Sequence, residues 1–173
     1  RIFVASEGIN AQLSVPAPQF HNFKQTLDDI TFLKGLRLNI AVEQFDKSFL
    51  KLKIKVRSKI LADGLDDKTF DPTDVGTHLK AEAFNQIIAD PDTVLVDMRN
   101  HYETEIGHFE NALTPDVDTF RDSLKIIEKD IEPHKTNKNI VMYCTGGIRC
   151  EKASAYFKHK GFKKLFQLEG GII

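Results

Sequence analysis

The sequence predicts a two-part α/β chain: a small α+β unit, then a larger unit built on a parallel sheet with flanking helices. Three observations carry this. The run from Phe49 to Ile60 alternates apolar and polar residues, the apolar runs from Val94 onward are short and unbroken, and an Asp-, Pro- and Gly-rich stretch separates the two regimes. Alternation marks a strand with one wet face, whereas unbroken runs joined by helical patterns mark strands covered on both faces.

In the first unit, Arg1 to Ala5 and Ile9 to Val15 read as two short strands that turn near Glu7-Gly8, and Pro16 and Pro18 end the second. Phe20, Phe23, Leu27 and Ile30 then recur at spacings of three and four, which predicts a helix. Leu38 to Val42 and the run Phe49 to Ile60 complete the order strand, strand, helix, strand. That order is what remains of a ferredoxin-like split βαβ unit when an upstream strand and helix are missing. The unit is placed at residues 1–61. Residues 62–77, with DGLDD, DPTD, Pro72 and two glycines, have linker composition.

The second unit is placed at residues 78–173, with strands at Val94 to Val96, Ile140 to Tyr143 and Leu165 to Leu168. Three apolar stripes predict helices between them: Ala83, Phe84, Ile87 and Ile88; Phe120, Leu124, Ile127 and Ile131; and Ala153, Tyr156 and Phe157. Gly161 is a helix stop, with Phe162 placed to fold back on the last turn. Open α/β sheets bind ligands at the carboxyl ends of their strands. Asp97 and Cys144 both fall at such ends.

Cys144 opens the run CTGGIRC, and Arg149 closes a loop that contains Gly146 and Gly147. A strand that stops at a cysteine and leads into a helix aims the sulfur and the N–H groups of Thr145, Gly146, Gly147, Ile148 and Arg149 at one point. Those groups, the positive end of the helix dipole and the Arg149 guanidinium all favour thiolate over thiol. Cys144 is therefore predicted to be a low-pKa nucleophile in a partly exposed site, with Arg149 as its charge partner. A sulfur sealed in the interior, with the amides turned away, would leave only a scaffold. Cys150 falls on the first turn of the next helix, ahead of Ala153 and Phe157, and is assigned to core packing, a resolving or disulfide role being the minor alternative. Cysteine-dependent phosphatases place one more residue between cysteine and arginine. The tighter ring here suits a single sulfur atom, so a persulfide fits Cys144 better than a phosphocysteine.

The segment VLVDMRNHYETEIGHFENAL (Val94 to Leu113), the run IVMYCTGGIRC and the closing LEGGI together resemble a rhodanese-like domain over about residues 76–173. VASEGINAQ, FENA, TFRD and CTGGIRCEKASAYF extend the resemblance over nearly the whole chain, to the bacterial rhodanese-family tRNA uridine hydroxylases. That resemblance implies a rhodanese-like sheet preceded by a truncated ferredoxin-like (acylphosphatase-like) domain. It implies oxygen-dependent 5-hydroxylation of the wobble uridine, position 34, with molecular oxygen as co-substrate and the anticodon arm of tRNA as partner. It also carries over Asp97 and Arg99 as a supporting ion pair beneath the loop, a purely structural pair being an equal alternative. Glu103 and Gly107-His108 match positions that are more often structural, the histidine pinning a turn.

Two histidines and a carboxylate can form an iron set, which draws attention to His101, Glu105 and His108. Their spacing is loose, and no metal is assigned. No GxGxxG follows a strand, so no flavin or nicotinamide cofactor is evident.

At 173 residues, 41% hydrophobic and a net charge of -1, the chain can bury one good core and one small one. Its two cysteines make no disulfide framework, which points to a reducing compartment. No run approaches the ~18 apolar residues of a membrane helix, and no signal peptide opens the chain, so the expectation is a cytoplasmic protein with no membrane contact and no evident protein partner. Arg1 at the start and LEGGII at the end read as the bounds of a fragment.

Charge position says more than net charge. Lys51, Lys53, Lys55, Arg57 and Lys59 occupy every second residue, which on a strand would set five cations on one face over roughly 26 Å at ~3.3 Å per residue. Such a row could follow RNA phosphates. Lys152, with Lys158, Lys160, Lys163 and Lys164, forms a second cluster. The plain alternative is a solvated face or an edge strand guarded by lysines. Three functions stay in view: a tRNA hydroxylase, a sulfurtransferase carrying sulfur on Cys144, and a non-catalytic binding module. The intact cysteine argues against the third, and the basic strand argues against a stand-alone sulfurtransferase.

Overall fold

The computed structural model describes residues 1–36, 38–40, 49, 51–66 and 68–173. They fall into two compact units, Arg1–Ile60 and Leu61–Ile173.

In the first unit, β1 (Ile2–Ala5) and β2 (Gly8–Ala11) form an antiparallel hairpin, and α1 (Phe20–Asp29) follows. The third strand, β3 (Ile54–Val56), pairs in parallel with β1. β2 stops short of the expected Val15. The predicted strand Leu38 to Val42 is not a strand at 38–40, and residues 41–42 lie outside the described ones. The predicted strand Phe49 to Ile60 shrinks to β3, with residue 50 outside the described ones. Its ladder is limited by its partner: Ile2 N–H to the Lys53 carbonyl and Arg57 N–H to the Val4 carbonyl, both 2.8 Å, reach just past the strand. The alternation itself holds. Ile54 and Val56 register with Ile2 and Val4, and Lys55 registers with Phe3 on the opposite face.

The second unit is a four-stranded parallel sheet in the order β4 (Thr77–Leu79), β7 (Leu165–Leu168), β6 (Asn139–Tyr143), β5 (Thr93–Asp97). Its helices are α2 (Ala81–Ile88), the short α3 (His101–Thr104), α4 (Phe120–Ile131) and α5 (Ile148–His159). Both faces are covered, as unbroken apolar strands require. Val96, Ile140, Met142 and Cys144 point to the side of α4 and α5, meeting Leu124, Ile127, Ala153 and Phe157. Leu95, Val141 and Tyr143 point the other way, onto Phe84 of α2 and Phe109. Gly161 adopts φ +92°, and Phe162 returns its N–H to the Phe157 carbonyl at 3.1 Å, closing α5 as its sequence suggests.

Residues 62–77 do not behave as a free tether. Leu61 and Leu65 pack against the main core, Phe70 is buried, and the segment belongs to the second unit. Apolar residues spaced through a polar stretch anchor it despite its linker composition.

Candidate active site

β6 delivers Cys144 to the carboxyl end of the sheet, and α5 begins four residues later. Ile148 and Arg149 therefore lie in the first helical turn, and the turn proper is Thr145-Gly146-Gly147. Gly147 has φ +90°, a conformation that favours glycine. It lets the Gly147 N–H fold back onto Cys144 Sγ, 3.1 Å away. Beyond that bond, the groups that favour the charged sulfur are the Cys150 thiol, the amides of Cys150 and Arg149, and the Arg149 guanidinium. Led by the Cys150 thiol and helped by these amides and the Arg149 charge, the site lowers the Cys144 pKa from 9.0 to about 6, although burial opposes it. The direction of that shift favours the thiolate.

The expectation of a partly exposed sulfur is corrected. Cys144 has no exposed surface. Core side chains close one side, and Gly170 to Ile173 cross the loop on another: Ile172 N–H bonds the Cys144 carbonyl at 3.0 Å and Ile173 N–H the Thr145 carbonyl at 3.3 Å. Gly171 is at φ +82°, with no room for a side chain against the Thr145 carbonyl. Of the five amides expected to converge there, that of Gly147 bonds the sulfur, so the buried sulfur keeps a main-chain donor.

Arg149 is held by Glu103. Its Nη1 and Nη2 donate to the two Glu103 oxygens at 2.6 and 2.8 Å, and Nη2 also donates to Thr145 Oγ1 at 2.8 Å. Thr145 Oγ1 donates to Glu103 as well, closing a triangle across the loop. Arg149 first among its causes, Thr145 and the Asn100 N–H hold the Glu103 pKa down to about 2 against burial. Burial opposes the Arg149 charge, but Glu103 and the thiolate outweigh it and raise its pKa. Glu103 is thus part of the site, where the sequence alone assigns it a structural role. A readable signal exists: Asn100 and Glu103 stand three apart at a helix start, a capping-box spacing, and the Asn100 N–H does bond Glu103 Oε2 at 3.1 Å.

Asp97 and Arg99 form their ion pair, buried, with Arg99 Nε 3.0 Å from Oδ1 and Nη2 2.7 Å from Oδ2. Arg99 also donates to the carbonyls of Gly107 at 2.6 Å and Glu103 at 3.3 Å. The pair fixes the turn carrying α3, and through it Glu103, instead of lying directly against Cys144. His108 Nδ1 sits 3.1 Å from the Thr104 carbonyl, whereas His101 faces Asp116 and Glu105. Among the described residues, no three of His, Cys, Asp and Glu are placed to hold a metal.

The basic residues divide. Lys51, Lys53, Lys55 and Arg57 are exposed, Lys59 is half-buried, and Arg57 lies over the Phe3 ring at 5.6 Å. A three-residue strand does not carry all five along one straight face. Lys152 is a correction: it is 5% exposed, 3.3 Å from Asp63 and over the Phe70 ring at 5.5 Å, so it offers nothing to RNA. Lys158 and Lys160 are engaged by Asp74 and Glu128.

Residues 1–60 match the family of UPF0176 acylphosphatase-like domains, and residues 80–172 match the family of rhodanese-like domains. Among curated relatives, the tRNA uridine(34) hydroxylase of Yersinia enterocolitica is 58% identical over 174 aligned positions, covering 100% of this chain and 49% of that protein. The tRNA uridine(34) hydroxylase of Photorhabdus laumondii is 55% identical with the same coverage. The chain spans about half the length of these relatives.

Proposed function

The chain belongs to the rhodanese-like family, and from that premise we propose that it serves a tRNA-modifying enzyme that adds a hydroxyl to C5 of the wobble uridine. Molecular oxygen is the co-substrate in this reading, and the anticodon arm of tRNA is the partner, in the cytoplasm. One observation carries it: the Cys144 sulfur at the carboxyl end of the sheet accepts the Gly147 N–H, in a loop whose Arg149 guanidinium is clamped by Glu103. Such a cradle belongs to a reacting sulfur, and the relatives that share this sequence are named for hydroxylation of uridine 34.

Each residue has a part in this reading. Cys144 supplies the reactive sulfur, the amides of Gly147, Arg149 and Cys150 keep it charged, and Arg149 balances that charge while Glu103 fixes the guanidinium. Lys53, Lys55 and Arg57 on the first unit present cations to phosphates. The second reading, a sulfurtransferase with a persulfide on Cys144, is favoured by the small ring of donors around one sulfur atom. Mass spectrometry of tRNA nucleosides from cells with and without the gene separates the two. Loss of 5-hydroxyuridine supports the hydroxylase, and an unchanged level removes it.

A further inference from the structure

We infer that Tyr102 is the platform on which the wobble uridine stacks when the anticodon arm is presented to the active loop. This rests on the hydroxylase reading and names the side chain that takes hold of its substrate.

Two observations single out this residue. Tyr102 lies in α3 directly before Glu103, whose carboxylate holds the Arg149 guanidinium at 2.6 and 2.8 Å. Its Cα is therefore only ~3.8 Å from that of the residue clamping the loop. The second observation is that the side chain is 56% exposed and yet held, because Asn100 Nδ2 donates to its hydroxyl at 3.0 Å. The Asn100 N–H donates to Glu103 Oε2 at 3.1 Å, so one residue fixes both the exposed ring and the clamp. The chain has two other tyrosines, and they are placed differently. Tyr143 and Tyr156 set their rings against Phe109 and Phe157, with centroids 4.8 and 5.5 Å apart, whereas Tyr102 presents its ring to solvent.

Ordering a side chain opposes binding, so a ring already tied in place binds better than a free one. What it would take is a flat, uncharged face. The neighbouring His101 stands between the exposed carboxylates of Glu105 and Asp116, which repel phosphate and leave a stacked base as the favoured part of an RNA. Bases in single-stranded loops are held in this way on aromatic side chains. Ile106, four residues beyond Tyr102 and 90% exposed, adds apolar surface on the same turn of chain. A small sulfur donor such as thiosulfate has no flat face, and a sulfurtransferase would leave the ring idle.

The test uses full-length protein and tRNA carrying 5-iodouridine at position 34, irradiated so that the base couples to an aromatic ring stacked on it. Trypsin cuts after Arg99 and Arg121, so Tyr102 is read within the peptide Asn100 to Arg121. The expected result is coupling at Tyr102. In steady-state hydroxylation of unmodified tRNA, Tyr102→Ala should raise KM about tenfold, the size of one lost stack, with kcat nearly unchanged. Tyr102→Phe keeps the ring and should restore most of that loss. The pH midpoint of Cys144 alkylation should stay in place in both variants, because the Glu103 clamp is untouched. Coupling at another residue, an unchanged KM in Tyr102→Ala, or a shifted Cys144 midpoint overturns the platform and leaves the hydroxylase reading standing. No 5-hydroxyuridine from the native protein removes both. The coupling needs no variant, so a folding defect in Tyr102→Ala does not spoil it.

Discussion

Glu103 and Arg149, 46 residues apart in sequence, meet through two charge-assisted hydrogen bonds of 2.6 and 2.8 Å that clamp the active loop to α3. The clamp fixes where the loop's cation stands, and with it the field at Cys144. Glu103→Gln keeps the shape and removes the charge. Breaking a buried pair costs ~3–5 kcal/mol; Glu103 is partly exposed, so a loss on the order of 2 kcal/mol is expected in denaturant unfolding. The sign with pH follows from the lowered carboxyl. A group at about 2 when folded contributes stability that is complete above its ordinary value of 4.5 and disappears as pH falls toward 2. The native protein should therefore lose more stability across that window than the variant. Parallel acid limbs would show that the pairing does not stabilise the fold.

The Cys144 thiolate should appear as a midpoint near pH 6 in the pH dependence of alkylation. Cover over the sulfur limits the plateau rate, not the midpoint. Arg149→Ala removes one charge that favours the thiolate, so its midpoint should move up and alkylation at neutral pH should slow. A midpoint that stays in place would show that guanidinium and sulfur are not coupled.

Lys152 is a structural residue by its surroundings. Lys152→Met keeps the stem against Phe70 but takes the cation away from Asp63, whose carboxylate is also buried. The expected cost is ~3 kcal/mol in thermal or denaturant unfolding, with the salt dependence of tRNA binding unchanged. A shallower salt slope would return Lys152 to the RNA surface.

Much of this site is legible in the order of residues along the chain. The loop is legible because a strand, a cysteine and two glycines follow one another within a few residues, and local order dictates local geometry. Asp97 and Arg99 pair because they stand two apart at the same strand end. Glu103 is not legible as Arg149's partner, because nothing in a single sequence links two distant residues until a sheet brings their strand ends together. Lys152 misleads for a related reason. A lysine on a helix is normally solvated, and its burial here depends on Asp63 and Phe70, far off in sequence, lying against it. In the strand Phe49 to Ile60, the alternation places the faces correctly, but β1 limits how far pairing can run.

Lys53 and Lys55 offer the plainest test of the first unit. Changing both to glutamate should weaken tRNA binding and reduce the slope of log affinity against log salt by roughly 1 per lost phosphate contact. An unaltered slope would assign them to solubility.

The most direct measurement is the level of 5-hydroxyuridine at the wobble position in cells whose only copy of the protein carries Cys144→Ser, with circular dichroism confirming that the variant folds. A cradle built around a reacting sulfur requires the modification to vanish while the fold stands. A full complement of 5-hydroxyuridine in those cells would take the cysteine out of the chemistry.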